Sequence, residues 1–366
     1  MIDISGLSGV GSGSYQPDDV TFLLREMNID PTETAEKERL IQSGEKHYSE
    51  MVSMERAPSP AHIGLFVRAL AHNSTRMAKE VLSLADAICR EIPEGPIVLV
   101  SLVRAGLPLG VLLKGALSSS HRRCYHYGVS IIRDKGIDKT AMDAIARAHG
   151  TANIVFVDGW TGKGAIAGEL KRSLEGLGGY PAEPRLCVLA DPCGKAWLAA
   201  SAEDWLIPSG ILGATVSGLI SRTIWPGDDG LHGCVRYSHL ASIDLTQTFI
   251  LAIQGQMAAY SEHWPAPKVS PWTEAKRAEL QGTAMDVVFD IALKHGVTNL
   301  NRVKPGIAEA TRAVMRRVPE HVLVHNENSS DVQLLIHLAD LAGIKVKEAR
   351  NELGPYQAIT IIQKVG

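Results

Sequence analysis

Between residues 97 and 190 short apolar runs rich in valine alternate with stretches of helical periodicity, and this alternation narrows the fold more than any other feature of the chain. Ile97–Leu102 follows Gly95-Pro96 and is almost wholly apolar, as a strand buried on both faces must be. A helix over residues 107–117, a strand over 125–132, a helix over 140–148, a strand over 154–157, a helix over 164–177 and a strand over 185–190 follow in turn. Strands alternating with helices require crossover connections, so the pattern predicts an α/β fold with a largely parallel sheet and helices on both faces. Upstream, apolar spacing over residues 63–91 predicts a long helix or a helix pair. The first 60 residues open Gly/Ser-rich and close on Ala57-Pro58-Ser59-Pro60, and are expected to wrap this domain instead of forming one.

Pro265, Pro267 and Pro271 mark residues 263–274 as a linker between a main domain, 1–262, and a second unit, 275–366. The second unit reads as helices over 275–295, 306–317 and 330–342 with strands over 322–325, 344–347 and 358–362, a small α/β sandwich. The 45% hydrophobic and 21% charged content sets disorder aside. The chain starts without a basic segment or an apolar run, and no stretch reaches about 18 uncharged apolar residues. Cys89, Cys124, Cys187, Cys193 and Cys234 are widely spaced and form no CxxC pair, which fits reduced thiols in the cytoplasm. No membrane partner is expected. A net charge of −3 is too even to demand nucleic acid.

Ligands of open α/β sheets gather at the carboxyl ends of the strands. After the strand over 154–157 comes Asp158-Gly159-Trp160-Thr161-Gly162-Lys163-Gly164, running straight into a helix. Its glycines let backbone amides approach a phosphate, the helix start adds positive potential, and the Thr161 hydroxyl is a further donor. Asp158 would hold ribose hydroxyls or a magnesium ion. The other candidate is Ser101-Leu102-Val103-Arg104-Ala105-Gly106, where an arginine follows a strand and a second anion fits. Between them residues 121–140 carry Arg122, Arg123, Arg133, Lys135 and Lys139 around Gly136, a basic loop suited to close over a leaving pyrophosphate. Ser217 and Arg222 are candidates for a base-side or phosphate-side loop, although ordinary turn polarity accounts for them equally.

The pair Ser-x-x-Arg-Ala-Gly and Val-Asp-x-x-Thr-Gly-x-Gly resembles the two ligand loops of type I phosphoribosyltransferases. That resemblance implies a magnesium-dependent transfer of ribose 5-phosphate from phosphoribosyl pyrophosphate to a nitrogenous base. Asp158, Arg104, Arg133 and Lys135 would be catalytic, with Asp158 also meeting the metal. Ser101, Leu102, Val103, Ala105, Gly106, Gly159, Trp160, Thr161, Gly162, Lys163, Gly164, Ser217 and Arg222 would bind substrate. The segments at residues 13–24 and 41–51, the latter carrying His47, Tyr48 and Glu50, are similar to bacterial fusions of a phosphoribosyltransferase with a Pelota domain. Those fusions accompany tellurite-resistance stress genes and also carry the label StiP, a cysteine protease. For them the resemblance implies a pathway to a nucleoside-like metabolite. Residues 275–366 resemble the Pelota and L7Ae RNA-binding fold, in which Gly306, Glu309 and Arg312 would face RNA. A packing or dimerising domain with solvated Arg312, Arg316 and Arg317 is the plainer account.

Two other chemistries are open. A cysteine hydrolase would use Cys193, after a strand in Asp191-Pro192-Cys193-Gly194, or Cys234, near His232 and His239. The same His232, Cys234 and His239 offer three ligands for zinc. A third reading is a non-catalytic sensor of a ribose phosphate that binds RNA.

Overall fold

A computed structural model of the chain describes residues 5–7, 9–261 and 268–364. Its main sheet has six strands in the order Thr21–Phe22, Cys124–Val129, Ile97–Leu102, Ile154–Val157, Leu186–Ala190 and Leu198–Ser201, and all neighbours pair in parallel. The central strand Ile97–Leu102 is buried at every position. Side chains alternate across a strand, so Ile97 and Leu99 enter the core on one face while Val98, Val100 and Leu102 enter the core on the other. Helices Pro60–Glu91, Leu107–Ser119 and Thr246–Ser261 cover the first face, and Lys139–His149 and Ala165–Leu177 cover the second.

Pro60–Glu91 is one helix of 32 residues, not a pair. Ser59 caps it by accepting from the His62 amide, and Pro60 supplies the fixed φ that a first helical residue needs. The N-terminal segment adds the edge strand Thr21–Phe22 to the sheet. Of the linker prolines, Pro265 and Pro267 lie outside the described residues.

The second sheet has the order Val303–Pro305, Ala358–Ile362, Pro319–Val324 and Lys345–Glu348, with only the last pair parallel. Helix Glu274–Lys294 covers one face. The other face carries Ile307–Arg316 and Gln333–Leu341, and its residues Ile307, Val314, Val322 and Leu335 join the same core as Ile207 and Ile211, which flank the turn Pro208–Gly210 of the main unit. The small unit is therefore docked through a shared apolar core. Asp204 fixes the contact by accepting from the Ile307 and Gln357 amides. Tyr356 donates to the Gly162 carbonyl at 2.9 Å. No described helix is long and apolar enough to cross a membrane.

Candidate functional site

The chain runs from Ile97–Leu102 to the neighbour on one side, Cys124–Val129, and then crosses back to Ile154–Val157 on the other. Such a reversal opens a crevice at the carboxyl ends of the two inner strands, and both loops singled out by the sequence lie there. They touch: a methyl added to Gly106 would stand 2.0 Å from the Val157 carbonyl oxygen. Gly164, at φ +81°, closes the second loop onto helix Ala165–Leu177.

The side chains of these loops are largely committed within the protein. Ser101 donates to the Gly106 carbonyl and shares a 2.7 Å hydrogen bond with His126. Arg104 is buried, donating to the Ile220 carbonyl at 2.7 Å and pairing with Glu55 at 2.8 Å. Thr161 turns its hydroxyl inward to Asp191. Lys163 reaches out of the loop to the Leu300 and Val303 carbonyls of the small unit. Asp158 accepts from the Gly159 amide, and burial lifts its pKa to about 7. Leu102 and Val103 are buried, and Ala105 packs its carbonyl side against Gly159.

Arg133 and Arg222 both lie over the Tyr48 ring, with guanidinium carbons 5.7 and 5.0 Å from its centroid, and the Arg133 amide donates to the Tyr48 hydroxyl. The 41–51 segment thus serves as the bed of the basic loop. Lys135 lies 5.3 Å over the Trp225 ring, and Ser217 donates to the Gly213 carbonyl.

The residues expected to meet RNA face the same seam. Gly306 lies against Asp204, Glu309 packs on Gly162, and Arg312 lies 4.4 Å over the Trp160 ring. Lys37, Arg104, Arg133, Lys163, Arg222, Lys304, Arg312, Arg316 and Arg317 are linked by mutual electrostatic interaction, with Glu38, Glu55, Asp134, Asp158 and Glu309 as the carboxylates among them. Burial, then neighbouring cations, pulls Lys37 and Lys163 down to about 7 and Arg316 to about 9. Burial and the neighbouring Arg317 and Arg133 bring Lys304 to about 8 despite the opposing pull of Glu309. Sequence reasoning missed Lys37, Glu38, Glu55 and Lys304; they lie in segments without a motif and reach the seam only through the fold.

The thiols are shielded. Cys193 donates to the Thr161 hydroxyl at 3.2 Å, and burial together with Asp191 pushes its pKa up to about 12. Cys234 is buried and also pushed up to about 12. His232 is engaged by Ser130 at 2.6 Å, and His239 donates to the Glu55 carbonyl. Among the described residues no group of three or more His, Cys, Asp or Glu is placed to hold a metal, so the zinc reading of His232, Cys234 and His239 falls. Cys193 does line a cavity of about 690 Å³ between the two units, beside Lys163, Gly164, Lys195 and Gln281.

Comparison with known proteins places this geometry in a family. Residues 282–364 match the model of the PELOTA RNA binding domain. The "Cysteine protease StiP" of Acinetobacter baylyi is 49% identical over 368 residues, covering 97% of this chain and 95% of that one. Two solved structures align over part of the chain. They are a hypoxanthine-guanine phosphoribosyltransferase of Bacillus anthracis, with TM-score 0.28, 16% identity, 36% of this chain and 80% of that one, and a hypoxanthine phosphoribosyltransferase of Trypanosoma cruzi, with TM-score 0.28, 12% identity, 35% and 68%. At scores this low they decide nothing about this chain. Residues 13–254 match the family model described as tellurite-like stress resistance cysteine protease StiP, and with that relative aligned along nearly its whole length the chain belongs to the StiP family.

Proposed function

We propose that the seam binds a phosphorylated ribose and that the chain acts on it there as an enzyme. One observation carries this reading: nine basic side chains stand within electrostatic reach of one another at the seam, with Glu38, Glu55, Asp134, Asp158 and Glu309 as the carboxylates among them, beside two strand-end loops. Like charges held away from water destabilise one another, and a bound anion relieves them. In the transfer reading Arg104 positions its loop through Glu55, while the basic loop at Arg133 and Lys135 faces the leaving pyrophosphate. Asp158 has Arg312 and the Glu309 carboxylate within electrostatic reach, and among the described residues no group of three or more His, Cys, Asp or Glu is placed to hold a metal. That donor set does not fit a resident magnesium ion. Calorimetric titration with phosphoribosyl pyrophosphate is expected to give saturable binding; its absence at millimolar ligand would remove the reading.

The site's own protons provide a second check. Asp158, raised to about 7, is neutral below that pH and anionic above it, while Lys163, lowered to about 7, is charged below and neutral above. Both changes subtract positive charge as the pH rises. Sulfate keeps a constant charge over this range, so its affinity is expected to fall at least about threefold between pH 6 and pH 8. An affinity that rises with pH would contradict the assignment of these two groups to the site.

Proteolysis is favoured by the family description and by the name of the Acinetobacter baylyi relative, which give the transfer reading no support. Its nucleophile here would be Cys193, the cysteine that lines the cavity. A thiol raised to about 12 is almost wholly protonated at neutral pH. Alkylation of Cys193 by iodoacetamide at pH 7.5 is therefore expected to run more than about 100-fold slower than that of a free thiol. Fast alkylation that also abolishes casein cleavage would establish the protease instead.

A further inference from the structure

The start of helix Ile307–Arg316 is already occupied. Both oxygens of Asp204 lie within 3.1 Å of the Ile307 amide, and one also accepts from Gln357 at 2.8 Å. A carboxylate thus fills the place where an anion would meet the amides at this helix N-terminus. Farther along the same helix the situation reverses. The Arg316 side chain makes no hydrogen bond or ion pair among the described residues, although it is half-buried and stands within electrostatic reach of Arg104, Arg312 and Arg222, with Glu55 as an attractive neighbour. Arg312, one turn back, lies over the face of Trp160, which belongs to the Asp158 loop, and its side chain also makes no hydrogen bond among the described residues, with Glu309, Asp158 and Glu55 as its attractive neighbours at longer range. Two guanidiniums are thus held at the seam with no hydrogen-bond partner for their donors among the described residues, and a guanidinium fork matches phosphate in geometry as well as charge.

We propose that Arg316 and Arg312 are ligand-binding residues of the seam: they hold the second anionic group of a small ribose ligand phosphorylated at both ends, whose first phosphate lies on the loops at Gly106 and Gly162. The small unit then works as a wall of the small-molecule site, with its helix start closed to RNA by Asp204. This rests on the ribose-phosphate reading above and narrows it to a ligand class.

The two parts separate in one set of titrations on the full-length protein. Phosphoribosyl pyrophosphate carries both anionic groups, whereas ribose 5-phosphate carries one. Arg316→Gln and Arg312→Gln are expected to weaken phosphoribosyl pyrophosphate at least about tenfold and to leave ribose 5-phosphate within a factor of two. Because Arg316 faces other cations, Arg316→Gln is also expected to leave the melting temperature of the free protein unchanged or higher, which a merely structural arginine would not do. If the wild type binds both ligands and the variants match it, or lose both equally, the assignment of the two arginines is overturned while the site stands. If the wild type binds neither ligand, the underlying reading falls and this one with it. A single-stranded RNA oligonucleotide serves as the third probe: RNA affinity lost in both variants, with phosphoribosyl pyrophosphate affinity kept, would overturn the proposal in favour of an RNA surface.

Discussion

Glu55→Gln is expected to lower the unfolding free energy by about 3–5 kcal/mol, the cost of leaving a buried ion pair without one partner. Glu55 accepts from Arg104 and from the Ala214 amide. Burial works against its charge, yet Arg104 and Arg316 outweigh burial and hold its pKa below the ordinary carboxyl value. Glutamine preserves the shape and an acceptor for Ala214 but removes the negative charge these cations share. Arg104→Ala is expected to cost less, because Arg316 remains beside Glu55 to neutralise it. Urea denaturation of the three proteins measures this as a lower midpoint with an unchanged slope. Sulfate stabilises most folded proteins, so the informative quantity is the difference: it should stabilise Glu55→Gln more than the wild type by taking the place of the carboxylate. Equal stability of Glu55→Gln and wild type would mean that water screens the cleft and that the cation surplus exerts no demand for an anion.

Gly106→Ala is expected to cost about 3 kcal/mol, the upper end for overpacking, and to abolish phosphoribosyl pyrophosphate binding. The backbone tolerates alanine there, since φ is −74° and ψ −19°. The obstacle is contact. The new methyl would lie 2.0 Å from the Val157 oxygen and 2.8 Å from its carbon, both backbone atoms that cannot swing aside. Relieving the clash must part the two loops at the point where they cross. Gly255→Ala provides the contrast, because it lies in helix Thr246–Ser261 with nothing within 4 Å of the added methyl. That change should stabilise the protein by about 0.5–1 kcal/mol. Thermal unfolding of both variants checks the pair; a Gly106→Ala protein as stable as Gly255→Ala would show that the loops are not in rigid contact.

The local pattern was enough for the inner strands. Ile97–Leu102 and Ile154–Val157 lie where their valine-rich runs predict, because a strand covered on both faces must be apolar throughout and that requirement is written in consecutive residues. Strands Thr21–Phe22 and Val303–Pro305 escaped notice because two or three residues carry no period; pairing with Cys124–Val129 and Ala358–Ile362 defines them. The loop at 158–164 was legible through its glycines, but the inward turn of Thr161 was not. It depends on Asp191, thirty residues away on the next strand's end.

Gly306, Glu309 and Arg312 were legible as a group with one facing, and the sequence alone favoured a tethered module offering that face to RNA. Docking sets that face on the seam, because the apolar surface of Ile307, Val314 and Leu335 gains more by joining the core at Ile207 and Ile211 than by remaining wet, while the match to the PELOTA RNA binding domain over residues 282–364 supports the RNA-binding expectation. By itself, then, the sequence determined the parallel sheet, the two strand-end loops and the candidate residues in them. Only the tertiary structure decided that Glu55, Lys37, Lys304 and Arg316 share the cleft with those loops. Charge interaction depends on the distance between segments, and no local period encodes a distance between residue 55 and residue 316.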